Sequence, residues 1–181
     1  MRALVVYESM FGNTRAVAEA VAEGLAGARD GVVAVARSVA EVRDAELLGL
    51  DLLVLGAPTH AWSLSRPSTR DTAAKLAAQS KGRLHLEPHA IGPGLREWLE
   101  RHVATLPAGT ALACFDTRVS VPMGISGSAA NATARHLRRV LRPPMGAPVG
   151  FRVSKQDELV DGELARAREW GRGLALSLVP A

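Results

Sequence analysis

The sequence predicts an α/β domain in which a five-stranded parallel sheet is covered by helices on both faces. Short apolar runs, typical of strands buried on both faces, alternate along the chain with segments of helical periodicity. Parallel neighbours need a crossover connection, usually a helix, so this alternation indicates a parallel sheet. The chain contains no internal repeat and no linker-like tract, and we therefore expect one domain over residues 1–181.

Each predicted strand is an apolar run bounded by polar residues or by glycine. The first run leads directly into a polar loop and a helix. The five predicted strands are Leu4–Val6, Val32–Ala36, Asp51–Gly56, Thr110–Phe115 and Val149–Val153.

The predicted helices rest on apolar residues that recur every three or four positions. In the first helix, Val17, Val21 and Leu25 form one apolar stripe. The later helices are predicted over Thr69–Ala78, Leu95–Val103, Ala129–Leu141 and Asp161–Leu178.

The composition is that of a globular protein from a reducing compartment. Hydrophobic residues make up 48% of the 181 residues, and no apolar run approaches the ~20 residues that cross a bilayer. The single cysteine, Cys114, cannot form an internal disulfide, which favours the cytoplasm. The formal net charge of +4 falls short of the dense basic stripe of a dedicated nucleic-acid-binding protein. We expect no membrane span and no nucleic-acid partner.

The loop after the first strand carries the most specific pattern in the sequence. Its residues are Ser9, Met10, Phe11, Gly12, Asn13 and Thr14. They lie just before a helix, whose N-terminus offers unpaired N–H groups and partial positive charge to a phosphate. The loop has no lysine, and phosphoryl transfer needs a cation on the transferring group. The pattern predicts a phosphate that is held but not transferred, or, as the alternative, residues that merely cap the helix.

Two further loops are expected at the same edge, because ligands of open parallel sheets bind beyond the carboxyl ends of the strands. The loop Gly56–Ser63 follows the third strand and contains Trp62, whose flat face suits a ring. Trp62 could instead cover an edge of the core. The segment Phe115–Arg118 follows the fourth strand and continues through Gly124–Ala130.

Together the three loops resemble those of the flavodoxin family. Ser9–Thr14 is similar to the family's phosphate loop, Ser/Thr-x-Thr-Gly-Asn-Thr, with Phe11 in place of the usual threonine at the third position. Gly56–Ser63 resembles the loop that carries an aromatic residue against the flavin, and Phe115–Ala130 occupies the place of the third loop. The resemblance covers essentially the whole chain. It implies a flavodoxin-like three-layer sandwich with strand order 2-1-3-4-5, noncovalent FMN and electron transfer.

The resemblance also implies which residues contact FMN. In addition to the six residues of the first loop, they are Pro58, Thr59, His60, Ala61 and Trp62 along the ring, and Asp116, Thr117 and Arg118 near its pyrimidine end. A fixed cation at Arg118 would favour negative charge on the flavin, whereas the alternative is a solvated or Asp116-paired arginine. His60 is expected to offer a proton or a hydrogen bond near N5, and otherwise to be exposed.

Departures from the family pattern leave the function open between alternatives. The third loop has no tyrosine, so one flavin face is left to water or to a substrate. The chain also lacks the strong acidity that is usual in flavodoxins. We expect an electron-transfer flavoprotein that serves a redox partner protein. The alternatives are an FMN-dependent reductase of a small oxidant such as a quinone, and an interaction module without flavin.

Three other patterns in the sequence give weaker indications of function. A phospho-receiver module needs an aspartate at the end of its third strand, where this chain has Gly56-Ala57-Pro58. His85 and His89 lack a clear third ligand for zinc. A cluster of arginines at the end of the fourth predicted helix forms either a docking patch or a solvated face. Its members are Arg135, Arg138, Arg139 and Arg142.

Overall fold

The sheet has the strand order that the resemblance implies. The computed structural model describes residues 1–121 and 126–178. Its strands are β1 (Arg2–Tyr7), β2 (Val33–Ser38), β3 (Leu52–Pro58), β4 (Ala111–Val119) and β5 (Val149–Val153). All neighbours pair in parallel, in the order β2-β1-β3-β4-β5. The predicted fold class is confirmed.

Helices cover both faces of this sheet. They are α1 (Asn13–Ala26), α2 (Pro67–Gln79), α3 (Leu95–His102), α4 (Ala129–Val140) and α5 (Glu163–Ser177). Helices α1 and α5 contribute to the core on one face, and α3 and α4 to the core on the other. None of the helices in the described part of the chain is long and apolar enough to cross a membrane.

The central strand β3 shows why the strands read as continuous apolar runs. Leu53 and Leu55 pack on the side of α3 and α4, whereas Leu52 and Val54 pack on the side of α1 and α5. Successive side chains of a strand point to opposite faces, and both faces of this sheet are covered. Every position of the strand is therefore apolar.

Strand β4 is longer than the sequence predicts. The prediction ended it at Phe115 and assigned Asp116–Arg118 to a loop, but the strand continues to Val119. The extension pairs with β5, in a register that runs from Phe115 opposite Val149 to Val119 opposite Val153. Ladder hydrogen bonds to β5 thus hold three of the predicted site residues on rigid backbone.

The only cysteine is a core residue. Cys114 lies on β4, faces the α3 and α4 side, and is buried. Burial raises the pKa of its thiol to about 12, so the thiolate form is strongly disfavoured.

Glycines let α1 and α5 approach closely. A Cβ on Gly171 of α5 would lie 2.3 Å from the carbonyl oxygen of Val21, and one on Gly24 of α1 would lie 1.9 Å from the carbonyl oxygen of Arg168. Backbone atoms cannot move aside as a flexible side chain can. The absence of a Cβ at these two positions therefore sets the distance between the helices.

We predict opposite effects for two alanine substitutions on α5. Gly171→Ala should lower the free energy of unfolding by about 1–3 kcal/mol, because its methyl group overlaps the α1 backbone. Gly173→Ala should raise it by roughly 0.5–1 kcal/mol, since no atom lies within 4 Å of a Cβ there and alanine favours the helix. Urea denaturation followed by circular dichroism measures both. Equal effects at the two positions would contradict the close approach.

Candidate functional site

A cavity opens at the carboxyl ends of β1, β3 and β4. Its volume is about 440 Å³. All three sequence-predicted segments contribute to its lining, through Ser9, Met10, Phe11, Asn13, Thr14, Pro58, Thr59, His60, Ala61, Thr117 and Arg118. The fold thus brings together eleven of the fourteen predicted residues, which are separated by up to about a hundred positions in the chain. Gly12, Trp62 and Asp116 do not line the cavity.

The first loop turns into α1 without a side-chain cap. Gly12 occupies the N-cap position at φ 99°, a conformation that favours glycine. The Ser9 hydroxyl accepts a hydrogen bond from the N–H of Gly12 at 3.1 Å, and no side chain caps the helix itself. The first N–H groups of a helix have no intrahelical partner. Those of Asn13, Thr14 and Arg15 accordingly donate to no described residue and stay available to an anion.

Two polar side chains of this loop already have partners within the protein. The hydroxyls of Thr14 and Thr117 lie 2.7 Å apart and are buried. The Asn13 amide donates to the carbonyl oxygen of Asp157 at 2.9 Å. Both side chains therefore hold the loop against β4 and the turn after β5, whereas the first N–H groups of α1 and the Ser9 O–H stay available as donors.

The second loop is a tight turn. His60 and Ser63 exchange two backbone hydrogen bonds, of 2.9 and 3.0 Å, and the intervening Ala61 and Trp62 have φ values of 43° and 70°. This turn points Ala61 into the cavity lining and leaves Trp62 64% exposed beside it. Contact of Trp62 with a flavin ring stays a prediction.

His60 is held in its neutral form. Burial lowers the pKa of its imidazole, and the nearby cation of Arg70 lowers it further. A neutral imidazole has one N–H donor and one acceptor nitrogen. His60 can therefore donate or accept a hydrogen bond at the cavity wall at neutral pH.

Arg118 lines the cavity while paired with a buried carboxylate. Its Nη1 atom lies 2.6 Å from Oδ1 of Asp116, which is fully buried. Asp116 also accepts hydrogen bonds from the Ser128 hydroxyl and from the N–H of Ala130. A Cβ on Gly150 would lie 2.0 Å from Arg118 Nη1, so the guanidinium crosses β5 closely at that glycine. Asp116 thus positions Arg118 and does not reach the cavity.

The predicted continuation of the third loop is described in part. Its residues Gly124 and Ile125 lie outside the described residues. Gly127 and Ser128 contact the second loop, because the Ser128 N–H donates to the carbonyl oxygen of Trp62 at 3.3 Å. A Cβ on Gly127 would lie 2.2 Å from Cα of Trp62.

One wall of the cavity does not follow from the sequence predictions. Helix α2 lines it with Thr69, Thr72, Ala73 and Leu76. These positions recur at helical spacing and form one face of the helix, a pattern that the sequence displays but that equally suits packing. Val119, Val153 and Asp157 complete the lining. Burial raises the pKa of the Asp157 carboxyl.

A buried polar cluster behind the first loop was also missed. Glu8 is 3% exposed, and its Oε2 accepts a hydrogen bond from the N–H of Leu95 at 2.8 Å. Arg70 donates to the Ser65 hydroxyl at 2.8 Å and pairs with Glu97 at 3.0 Å. Burial raises the pKa of Glu8, whose Oε1 has no hydrogen-bond partner among the described residues. The cluster ties the end of β1 to α2 and α3.

No metal centre accompanies the cavity in the part of the chain that is described. Residues 1–121 and 126–178 contain no group of three histidine, cysteine or acidic side chains arranged to hold a metal ion.

Solved structures with this fold are flavodoxins and flavodoxin-like proteins. A flavodoxin from the domain Archaea matches 98% of this chain and 99% of its own, with a TM-score of 0.64 and 20% identity. Flavodoxin 1 from Bacillus cereus matches over 99% and 100%, with a TM-score of 0.65 and 15% identity. The flavodiiron core from Synechocystis has a TM-score of 0.67 and 17% identity, and this chain spans 36% of it. The chain therefore has the flavodoxin-like fold.

Comparison by sequence adds no relative. No family model matches the chain, and no curated protein matches it.

The residues at the cavity fit FMN, judged by their donors and their shape. The uncapped N–H groups at the start of α1 suit a phosphate, and no carboxylate lies within Ser9–Thr14. Phe11, Leu76 and Val119 give the lining an apolar part that suits a ring. The volume of about 440 Å³ lies within the ~300–1,000 Å³ of small-molecule sites.

Substitution of Glu8 should change how stability depends on pH. Its pKa is raised above the ordinary value of 4.5, so the folded state binds the proton more tightly than the unfolded state. The stability that this proton supplies is complete below about pH 4.5 and is lost as the pH rises through the folded-state pKa. Glu8→Gln should therefore gain stability relative to wild type as the pH rises from about 4.5 to the folded-state pKa of Glu8, by at most about 1.4 kcal/mol per pH unit.

Glu46 provides a control of opposite sign. Its pKa is lowered by the backbone N–H of Arg43 and by the Arg43 and Arg37 side chains. Glu46→Gln should lose stability relative to wild type as the pH rises from the folded-state pKa to about 4.5, and the loss should stay constant at higher pH. Denaturation in urea at several pH values measures both variants. If Glu8→Gln parallels wild type at every pH while Glu46→Gln does not, Glu8 is not buried as described.

Proposed function

We propose that this protein binds FMN noncovalently in the cavity at the sheet edge and transfers electrons through it. The observation that carries the proposal is the uncapped start of α1, whose N–H groups border a cavity with apolar walls. Backbone N–H groups and the helix dipole suit a dianion without any charged side chain in the loop. Flavodoxin-like neighbours support the same cofactor class.

The phosphate serves as a handle in this proposal. The N–H groups of Asn13, Thr14 and Arg15 hold it, assisted by Ser9, which also lines the cavity. Gly12 allows the turn that aims these groups. Transfer of the phosphate is not expected, because neither lysine nor arginine occurs within Ser9–Thr14.

Residues of the second and third segments hold and tune the ring. FMN, when bound, supplies the redox chemistry, and the protein supplies orientation and electrostatics. Pro58, Thr59 and Ala61 provide backbone and apolar surface along one side. The guanidinium of Arg118 is fixed by Asp116, which also compensates its charge, so Arg118 offers N–H donors at the cavity wall and not an unpaired cation. His60, neutral at pH 7, holds or exchanges a hydrogen-bonded proton at an imidazole nitrogen.

A second candidate function is the direct reduction of a small oxidant such as a quinone. The wall formed by α2 favours it, because Leu76 is 54% exposed and lines the cavity next to Thr72. An apolar and partly exposed wall leaves room for a flat substrate. Rapid mixing of the reduced flavoprotein with a benzoquinone distinguishes the two candidates. Fast reoxidation favours the reductase, and slow reoxidation favours a carrier that serves a partner protein.

We place this activity in the cytoplasm. The single cysteine is buried and forms no internal disulfide, as expected in a reducing compartment. The net charge of +4 is modest, so we propose a redox partner protein or a small oxidant and not a nucleic acid.

FMN binding should depend on the turn at Gly12. Gly12→Ala places a Cβ on a residue at φ 99°, which costs about 1–2 kcal/mol and disturbs the N–H groups. We expect the FMN dissociation constant to rise by about tenfold or more. Quenching of flavin fluorescence on binding measures it. The remaining alternative, an interaction module without flavin, predicts no saturable binding of FMN to the wild-type protein.

Gly31→Ala is the matched control. Gly31 also has a positive φ, of 79°, but it lies in the turn between α1 and β2 with no atom within 4 Å of a Cβ. It should lose comparable stability and keep the wild-type affinity for FMN. Equal affinity for FMN in both variants would argue against a phosphate at the first loop.

A further inference from the structure

The segment between α2 and α3 packs against the outside of the first loop. The N–H of Glu87 donates to the carbonyl oxygen of Met10 at 2.8 Å. Oε1 of Glu87 lies 3.4 Å from the position that a Cβ on Gly12 would take. A carboxylate therefore stands directly beside the glycine of the proposed phosphate loop.

An arginine of α1 neutralises this carboxylate. Nε of Arg15 lies 2.8 Å from Oε2 of Glu87, and Nη2 of Arg15 lies 3.9 Å from the same Cβ position on Gly12. Arg15 is the third residue of α1, so its side chain starts within the turn whose N–H groups are uncapped. One positive and one negative side chain thus flank the loop and largely cancel each other.

This pair is less solvated than a comparable pair elsewhere on α1. The side chain of Glu87 is 18% exposed, whereas that of Glu23, which pairs with Arg168 at 2.7 Å, is 59% exposed. Charges that are partly withdrawn from water are screened less than exposed ones. A change of charge at Glu87 should therefore change the electrostatic potential at the loop, because the loop lies well within the Debye length of about 8 Å at physiological salt.

We propose that Glu87 and Arg15 determine how strongly the loop prefers a ligand that carries a phosphate. Glu87 opposes a dianion at the loop directly and also engages the guanidinium of Arg15. Without Glu87, Arg15 keeps only the more distant carboxylate of Glu19, 3.9 Å from its Nη1, and its positive charge beside the site is less compensated. In the wild-type protein the balanced pair leaves recognition of the phosphate to backbone N–H groups. This inference rests on the proposed binding of FMN.

The test compares FMN with riboflavin, which has the same ring but no phosphate. The measured quantity is the ratio of the riboflavin dissociation constant to the FMN dissociation constant, taken from fluorescence titrations of the full chain. Glu87→Gln should raise this ratio by about two- to fivefold, the range of a partly exposed ion pair. Arg15→Gln should lower it by a similar factor, and the double variant should return close to wild type. High salt should shrink each change.

Glu23→Gln is the matched control, since it removes the same charge from an ion pair on α1. It should leave the ratio unchanged. The inference fails alone if both flavins bind and the ratio is the same in wild type, Glu87→Gln and Arg15→Gln, or if Glu23→Gln raises it as much as Glu87→Gln does. The proposed function fails as well if the wild-type protein binds neither flavin. If Glu87→Gln does not fold, the decrease in the ratio expected for Arg15→Gln tests the inference by itself.

Discussion

The uncapped start of α1 is the constraint on which the site depends. Strand β1 brings the chain to the sheet edge between β2 and β3, and Gly12, at φ 99°, turns it into the helix with no side chain over its first N–H groups. Buried or partly buried N–H groups require an acceptor from somewhere. A phosphate would satisfy several at once and would be favoured by the helix dipole.

The surrounding structure fixes this loop from several sides. The hydroxyl pair of Thr14 and Thr117 joins it to β4, and the Asn13 amide joins it to the turn after β5. The carboxylate of Glu8, just before the loop, accepts a hydrogen bond from the N–H of Leu95 at the start of α3. Side chains that family resemblance assigns to a phosphate therefore also act as ties within the protein. The loop is held in shape with its backbone donors still available.

Local patterns in the sequence were sufficient for the parallel sheet and for most of the cavity lining, and the family resemblance supplied the strand order. Apolar runs buried on both faces indicate parallel strands, and ligand loops follow their carboxyl ends. The sequence was insufficient where the position or role of a residue depends on partners that are distant along the chain. Asp116 and Arg118 lie on strand because β5 extends the pairing, and the role of Glu8 depends on Leu95, which is 87 positions away. The lining face of α2 has a spacing that equally predicts packing.

The central claim, that the N–H groups at the start of α1 hold the phosphate of FMN, is tested most directly by amide chemical shifts of the ¹⁵N-labelled protein. At saturating FMN, the amide signals of Asn13, Thr14 and Arg15 should move downfield, and riboflavin should move them far less. Cavity residues of the second and third segments should respond to both flavins. The account is contradicted if the signals of Asn13, Thr14 and Arg15 do not move when FMN is saturating.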